Sequence, residues 1–220
     1  MDPKPKLIQD QIFVYFAKKS LQIIAGFKYL WAAIILFLFV GGFFTITNSN
    51  LQPLFYALGK KSGQAAITLL GIVVIPGILG RFGIEIKVTR IITLFRRQLG
   101  ITVFLLALTH YSLVRLLLWF SGALTFKLPL SALESMGTFA FYIFFLMFFT
   151  SNNFSVKRLG RWWKRLHRFV YVALWLLVLH TGLQRISIWS VGIFTVATLE
   201  VASLIYSYFK KKLAKPMSTP

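Results

Sequence analysis

The sequence predicts an all-α polytopic membrane bundle of six transmembrane helices, and three observations carry that prediction. Of the residues, 57% are apolar and only 14% charged, against about 45–50% and about 25% in ordinary soluble domains. A water-soluble fold of 220 residues has no way to cover 23 Phe, 8 Tyr and 6 Trp with so few charges, so lipid must solvate much of its surface. Six apolar stretches approach the roughly 20 residues needed to cross about 30 Å of hydrocarbon at about 1.5 Å per residue.

In chain order, a basic arm over 1–26 precedes the first stretch, Phe27 to Thr47. That stretch is too long, and lacks the small-residue cleavage site, to be a removable signal peptide, so it is expected to remain as a signal anchor. The second, Gln64 to Leu79, contains Pro76, which removes a helix hydrogen bond and is expected to kink it. The third and fourth run Leu99 to Phe120 and Leu133 to Thr150. Between Asn153 and Tyr171, Leu159, Trp162, Leu166 and Phe169 recur at threes and fours among Lys and Arg, which predicts one basic amphipathic helix along the headgroup layer. The fifth and sixth stretches are Phe169 to Gln184 and Ile188 to Phe209, and a basic tail follows over 210–220. Residues 27–209 form one helical domain on this reading, with 59–184 as its core. Each stretch must be helical, because in lipid only a helix or a closed barrel satisfies its own backbone groups. No glycine-rich nucleotide motif or internal repeat is present, and the polar segments are too short for a nucleotide-binding domain.

The net charge of +20 would suit nucleic acid, but its placement argues otherwise. Lys60, Lys61, Lys127 and Arg185 fall in one set of loops and Arg115 inside the third span. The remaining basic residues gather in the arm, the second loop, the fourth loop with its flank, and the tail. A six-span chain puts those four segments on one side, which the positive-inside rule makes the cytoplasm, with both termini there. The partner is then a lipid bilayer, and nucleic acid is not expected.

Cysteine is absent, which excludes disulfides, iron–sulfur clusters and covalently attached c-type haem. The chain has three histidines, His110, His167 and His180. Ionisable or metal-binding groups at membrane depth are functional candidates, since burying them is costly. His110 lies 13 residues beyond Arg97 and His180 lies 13 residues beyond His167, a rise of about 20 Å in each case. The two therefore reach matching heights, and two facing imidazoles are a ligand set for a six-coordinate b-type haem. The alternative for each is a neutral histidine satisfied by Ser, Thr or a backbone carbonyl.

His167 marks the inner end of the fifth span, where the third span offers Arg96 and Arg97 and no second histidine. It is open to an unusual haem partnership, to flavin or quinone contact, or to an interfacial packing role. Arg97 and Arg165, with Arg96 and Arg168, suit haem propionates, a flavin phosphate or acidic headgroups, since guanidinium matches carboxylate and phosphate. The positive-inside rule alone also places them there. Arg115 is expected to reach a propionate or to snorkel past Trp119. Glu200, mid-span in the sixth helix, has to be protonated or paired with a base that the sequence does not identify.

Three quoted segments carry a family likeness. They are LFRRQLGITVFLLALTHY (Leu94 to Tyr111), TSNNFSVKRLGRWWKRLHRFVYVALWLLVLH (Thr150 to His180) and, more weakly, GKKSGQAAITLLGIVVIPGILGRFG (Gly59 to Gly83). The chain resembles the ferric-reductase-like transmembrane domain family, and within it the MsrQ-type haem-binding membrane subunits of bacterial protein-methionine-sulfoxide reductase systems. The resemblance implies b-type haem, one or two per chain, ligated by His110, His167 and His180. It implies a bacterial inner-membrane location and electrons passing outward from a quinone or a cytosolic flavin reductase. FMN as a further cofactor and a periplasmic molybdopterin reductase subunit as acceptor are also implied. Larger members of the group carry their own flavin and nicotinamide domain, so this chain is expected to borrow its reductant. Two competing classes remain, a direct ferric reductase and a non-redox transporter or scaffold whose histidines only pack.

Overall fold

The structure is a computed structural model describing residues 4–84, 86–125 and 130–213. Lys127, Lys215 and the side chains of Lys4 and Lys6 lie outside the described residues. Among those described the chain is helical, without strands, and six helical stretches are long and apolar enough to cross a membrane. The protein is an integral multi-pass membrane protein.

The helices are longer than the apolar runs alone suggested, because polar residues continue a helix once its middle is fixed in lipid. After α1 (Lys4–Lys18), α2 (Ser20–Thr47) begins within the segment read as the basic arm. A single turn over Ser49–Leu51 leads into α3 (Gln52–Phe82), which starts twelve residues before Gln64. The α3 helix runs through Pro76 and stops at Gly83, whose φ of 79° is the left-handed conformation that closes a helix C-terminus. The short α4 (Lys87–Leu94) packs against α1. The third span is composite, with α5 (Arg96–Tyr111), a π-helical turn (Ser112–Leu116) and α6 (Leu117–Phe120).

The fourth span, α7 (Ala132–Phe149), opens on a capping box in which Ser131 and Glu134 satisfy each other's backbone N–H groups. The predicted single amphipathic helix is instead two, α8 (Asn153–Leu159) and α9 (Arg161–His167). Gly160 separates them at φ 49° and ψ −113°, a conformation open to glycine and strained for other residues. A turn at Arg168 and Phe169 then starts α10 (Val170–Gln184), so His167 and His180 do not share one continuous helix. The last span is α11 (Ile188–Leu213).

In packing, α3 touches α5 on one side and α11 on the other, α11 touches α10, α10 touches α7, and α7 returns to α5. These five helices enclose the core of Leu70, Val74, Phe104, Phe144, Leu174 and Ile193. The α2 helix lies outside this ring against α5, tied by Trp31 Nε1 donating to Thr102 Oγ1 at 2.9 Å. Close helix approach is made where glycine leaves room, as where a Cβ on Gly59 would come within 2.8 Å of Leu113 Cβ in the π turn.

Candidate functional site

His110 stands near the end of α5 and His180 in the second half of α10, on opposite sides of the ring. Their ring centres are 6.4 Å apart with planes inclined at 74°. Each ring is held from behind by a neighbouring helix. His110 Nδ1 donates to the Gly59 carbonyl of α3 at 3.0 Å, and His180 Nδ1 donates to the Leu133 carbonyl of α7 at 2.8 Å. A carbonyl can only accept, so both bonds require a hydrogen on Nδ1 and leave the neutral ring's lone pair on Nε2. This is the arrangement of metal-ligating histidine, in which the second nitrogen is fixed by an outer partner.

The pair fits an iron porphyrin held between axial imidazoles. The 6.4 Å between ring centres leaves space in which His110 and His180 would hold the iron of such a group, which would supply one-electron chemistry there. Cysteine being absent, noncovalent b-type attachment is the form the donor set allows. Among the described residues no cluster of three His, Asp or Glu could hold a bare metal ion, so two-imidazole chemistry is what this site offers.

Arg115, in the π turn one helical turn beyond His110, forms an ion pair with Glu134 of α7. Glu134 directly follows Leu133, the residue whose carbonyl holds His180. The guanidinium is therefore engaged with a carboxylate of the protein, a partner the sequence reading did not name for it. The π turn shifts the register of the third span beside His110, a common device at functional sites.

At the basic end the surroundings differ. Thr150 Oγ1 lies 3.2 Å from His167 Nε2 and also 2.8 Å from the Leu146 carbonyl. With the Thr150 hydroxyl hydrogen directed to the nearer Leu146 carbonyl, Thr150 Oγ1 is an acceptor for His167 Nε2–H. The ring stacks on Trp163 with centres 4.0 Å apart, Trp163 Nε1 donates to the Thr150 carbonyl at 2.9 Å, and the charge of Arg96 acts on the imidazole. His167 is thus held through Nε2, the opposite nitrogen to that used by the other two histidines. Arg97 and Arg165 are exposed there. Arg97 Nη1 donates to Asn153 Oδ1 at 2.7 Å, and the Arg165 guanidinium lies 4.6 Å over the Trp162 ring. The structure does not bring either of them to His110 or His180.

The missing partner of Glu200 is Arg81, which forms an ion pair with it. Arg81 falls beyond the second apolar stretch, which ended at Leu79, yet it lies in the last turn of α3, with Nε donating to buried Ser203 Oγ at 2.9 Å and its guanidinium beside the Tyr171 ring. The signal available in the sequence was Glu200 itself, since a carboxylate in a span is either protonated or paired at its level.

A protein-methionine-sulfoxide reductase heme-binding subunit MsrQ from Agrobacterium fabrum is 29% identical over 134 residues, covering 57% of this chain and 62% of the relative. The protein of the same name from Brucella anthropi is 34% identical over 83 residues, covering 36% and 37%. The chain thus spans less than two thirds of the length of these curated relatives. No solved structure matches it. The pattern described as "Ferric reductase like transmembrane component" matches residues 62–178, more than half the chain, taking in His110 and His167 and ending two residues before His180. With that match over more than half of its length, the chain belongs to the ferric reductase like transmembrane component family.

Proposed function

We propose that the chain binds b-type haem between His110 and His180 and carries electrons across the bacterial cytoplasmic membrane. The observation that carries this reading is the pair of imidazoles with centres 6.4 Å apart, both with Nδ1 tied to a helix carbonyl. Histidines that only pack would also find carbonyl partners. Packing does not call for two rings at one height with both lone pairs on Nε2 and a spacing suited to one axial pair.

When bound, the haem supplies one-electron chemistry at its iron. The protein's own contribution is to hold the rings. His110 and His180 present Nε2, the Gly59 and Leu133 carbonyls keep each ring in its tautomer and orientation, and the apolar helices exclude water. The Arg115–Glu134 pair keeps a charge-neutral boundary at the same end.

The basic end is the cytoplasmic face on this reading, with both termini there, and it meets the donor, a quinone or flavin reductase. Its Trp163–His167 stack offers a flat aromatic surface, and exposed Arg97 and Arg165 offer guanidinium to a phosphate such as that of FMN. Ligation of a second haem by His167 would use Nδ1 while Nε2 stays with Thr150, or Nε2 if that bond were given up, and a haem-to-protein ratio separates one haem from two. The acceptor is extracytoplasmic, and the MsrQ name of both relatives favours a methionine sulfoxide reductase subunit over free ferric chelate.

The test is transfer across a bilayer. Vesicles holding the purified protein, loaded with a membrane-impermeant oxidant and given reductant outside, are expected to reduce the trapped oxidant. His110→Ala is expected to stop this. Equal rates with and without His110 would overturn the proposal.

A further inference from the structure

The two histidines are held by the same small device on unrelated stretches of sequence. His110 bonds to the carbonyl of residue 59 and lies against Gly63, and His180 bonds to the carbonyl of residue 133 and lies against Gly137. In each case the glycine sits four residues after the accepting carbonyl. A Cβ added to Gly63 would meet His110 Nδ1 at 2.7 Å and Cγ at 2.9 Å. A Cβ added to Gly137 would meet His180 Nδ1 and Cε1, both at 2.7 Å. Real Cβ atoms do not approach so closely, so in each case the ring would have to move.

Helix geometry explains the spacing. A Cβ in an α-helix tilts towards the N-terminus, so the side chain of residue i+4 covers the turn carrying the carbonyl of residue i. That carbonyl already accepts the N–H of residue i+4 and keeps a second lone pair directed outwards. Here each imidazole lies in the space that a side chain at residue i+4 would take.

We infer that Gly63 and Gly137 are positioning residues for the two axial histidines, each opening one helix carbonyl so that an imidazole can dock on it through Nδ1–H. This inference rests on the haem reading and adds to it. It states which positions set ring orientation, and why α3 and α7, which contribute no ligand, are needed at the site. Three glycines on the same spans provide a contrast. Gly100 on α5 and Gly182 on α10 have nothing within 4 Å of an added Cβ, and Gly71 on α3 meets only Val196 at an ordinary 3.6 Å.

The experiment compares Gly63→Ala and Gly137→Ala with Gly100→Ala and Gly182→Ala in the purified full-length protein. Haem content and the spin state of the oxidised iron are read by absorption and electron paramagnetic resonance. Loss of an outer partner of a metal ligand weakens binding about 10–100-fold. The Gly63 and Gly137 variants are expected to show haem loss on that scale, with the remaining haem shifted from low to high spin, while the Gly100 and Gly182 variants match the wild type.

A second measurement separates positioning from general packing. In protein produced without haem, the thermal midpoint of Gly63→Ala is compared in the presence of His110 and in a His110→Ala background. If Gly63 makes room for the ring, its methyl lowers the midpoint only while the ring is present. An equal fall in both backgrounds would overturn the inference. A colourless wild type would overturn the haem reading on which it rests. A pigmented wild type with unaltered Gly63→Ala and Gly137→Ala would overturn the cradle alone.

Discussion

The end of the bundle that holds His110 and His180 and the basic end that holds His167 solve one problem, fixing an imidazole, in opposite ways. At the first, each ring gives Nδ1–H to a helix carbonyl and keeps its lone pair on Nε2, the nitrogen farther from the backbone. At the second, the ring gives Nε2–H to Thr150 and lies flat on Trp163. The difference lies in the partner behind each ring. The outer partner decides which nitrogen remains available and where it points.

The largest effect that sharpens this comparison is on pigment. His110→Ala or His180→Ala is expected to remove nearly all of the b-type absorption from purified protein, whereas His167→Ala is expected to leave that of the His110–His180 site in place. Equal losses from all three would erase the distinction between the two ends.

The next effect lies in stability. Arg81→Ala leaves the Glu200 carboxylate, 2% exposed, without its cation, and breaking a buried pair in this way costs about 3–5 kcal/mol. The expected readout is a large fall in the thermal midpoint, restored in part by Arg81→Met combined with Glu200→Leu. An unchanged midpoint in Arg81→Ala would show that the pair does not hold α3 to α11.

Gly160→Ala forces a side chain onto a backbone at φ 49°, ψ −113°. It is expected to cost about 2 kcal/mol, with the haem spectrum unchanged. A still smaller change, about 1 kcal/mol, is expected from Thr150→Val, which removes the acceptor from His167 Nε2–H. Calorimetry beside absorption checks both. Loss of His110–His180 haem in Thr150→Val would mean that the two ends are coupled, contrary to the account.

The sequence was most informative where one dimension sufficed. Six apolar runs gave six spans, and equal counting from Arg97 and His167 put His110 and His180 at one height. That count survived although a turn at Arg168 and Phe169 interrupts the second stretch, because the α10 portion still supplies most of the rise. What depended on neighbours was hidden. Nothing along the chain says that α3 lies between α5 and α11, so neither Arg81 beside Glu200 nor Gly63 beneath His110 was legible, although Gly59 and Gly63 have the small-residue spacing of close helix approach. The break at Gly160 was hidden for another reason. Its flanks keep amphipathic spacing on both sides, and apolar periodicity does not register a single backbone angle.

The central claim is that two imidazoles from α5 and α10 grip one iron from opposite sides. Electron paramagnetic resonance of the oxidised, purified wild-type protein tests it most directly. The account predicts a low-spin ferric signal of a bis-imidazole haem that turns high-spin or disappears in His180→Ala. A wild type with no haem signal, or with a high-spin signal alone, would contradict it.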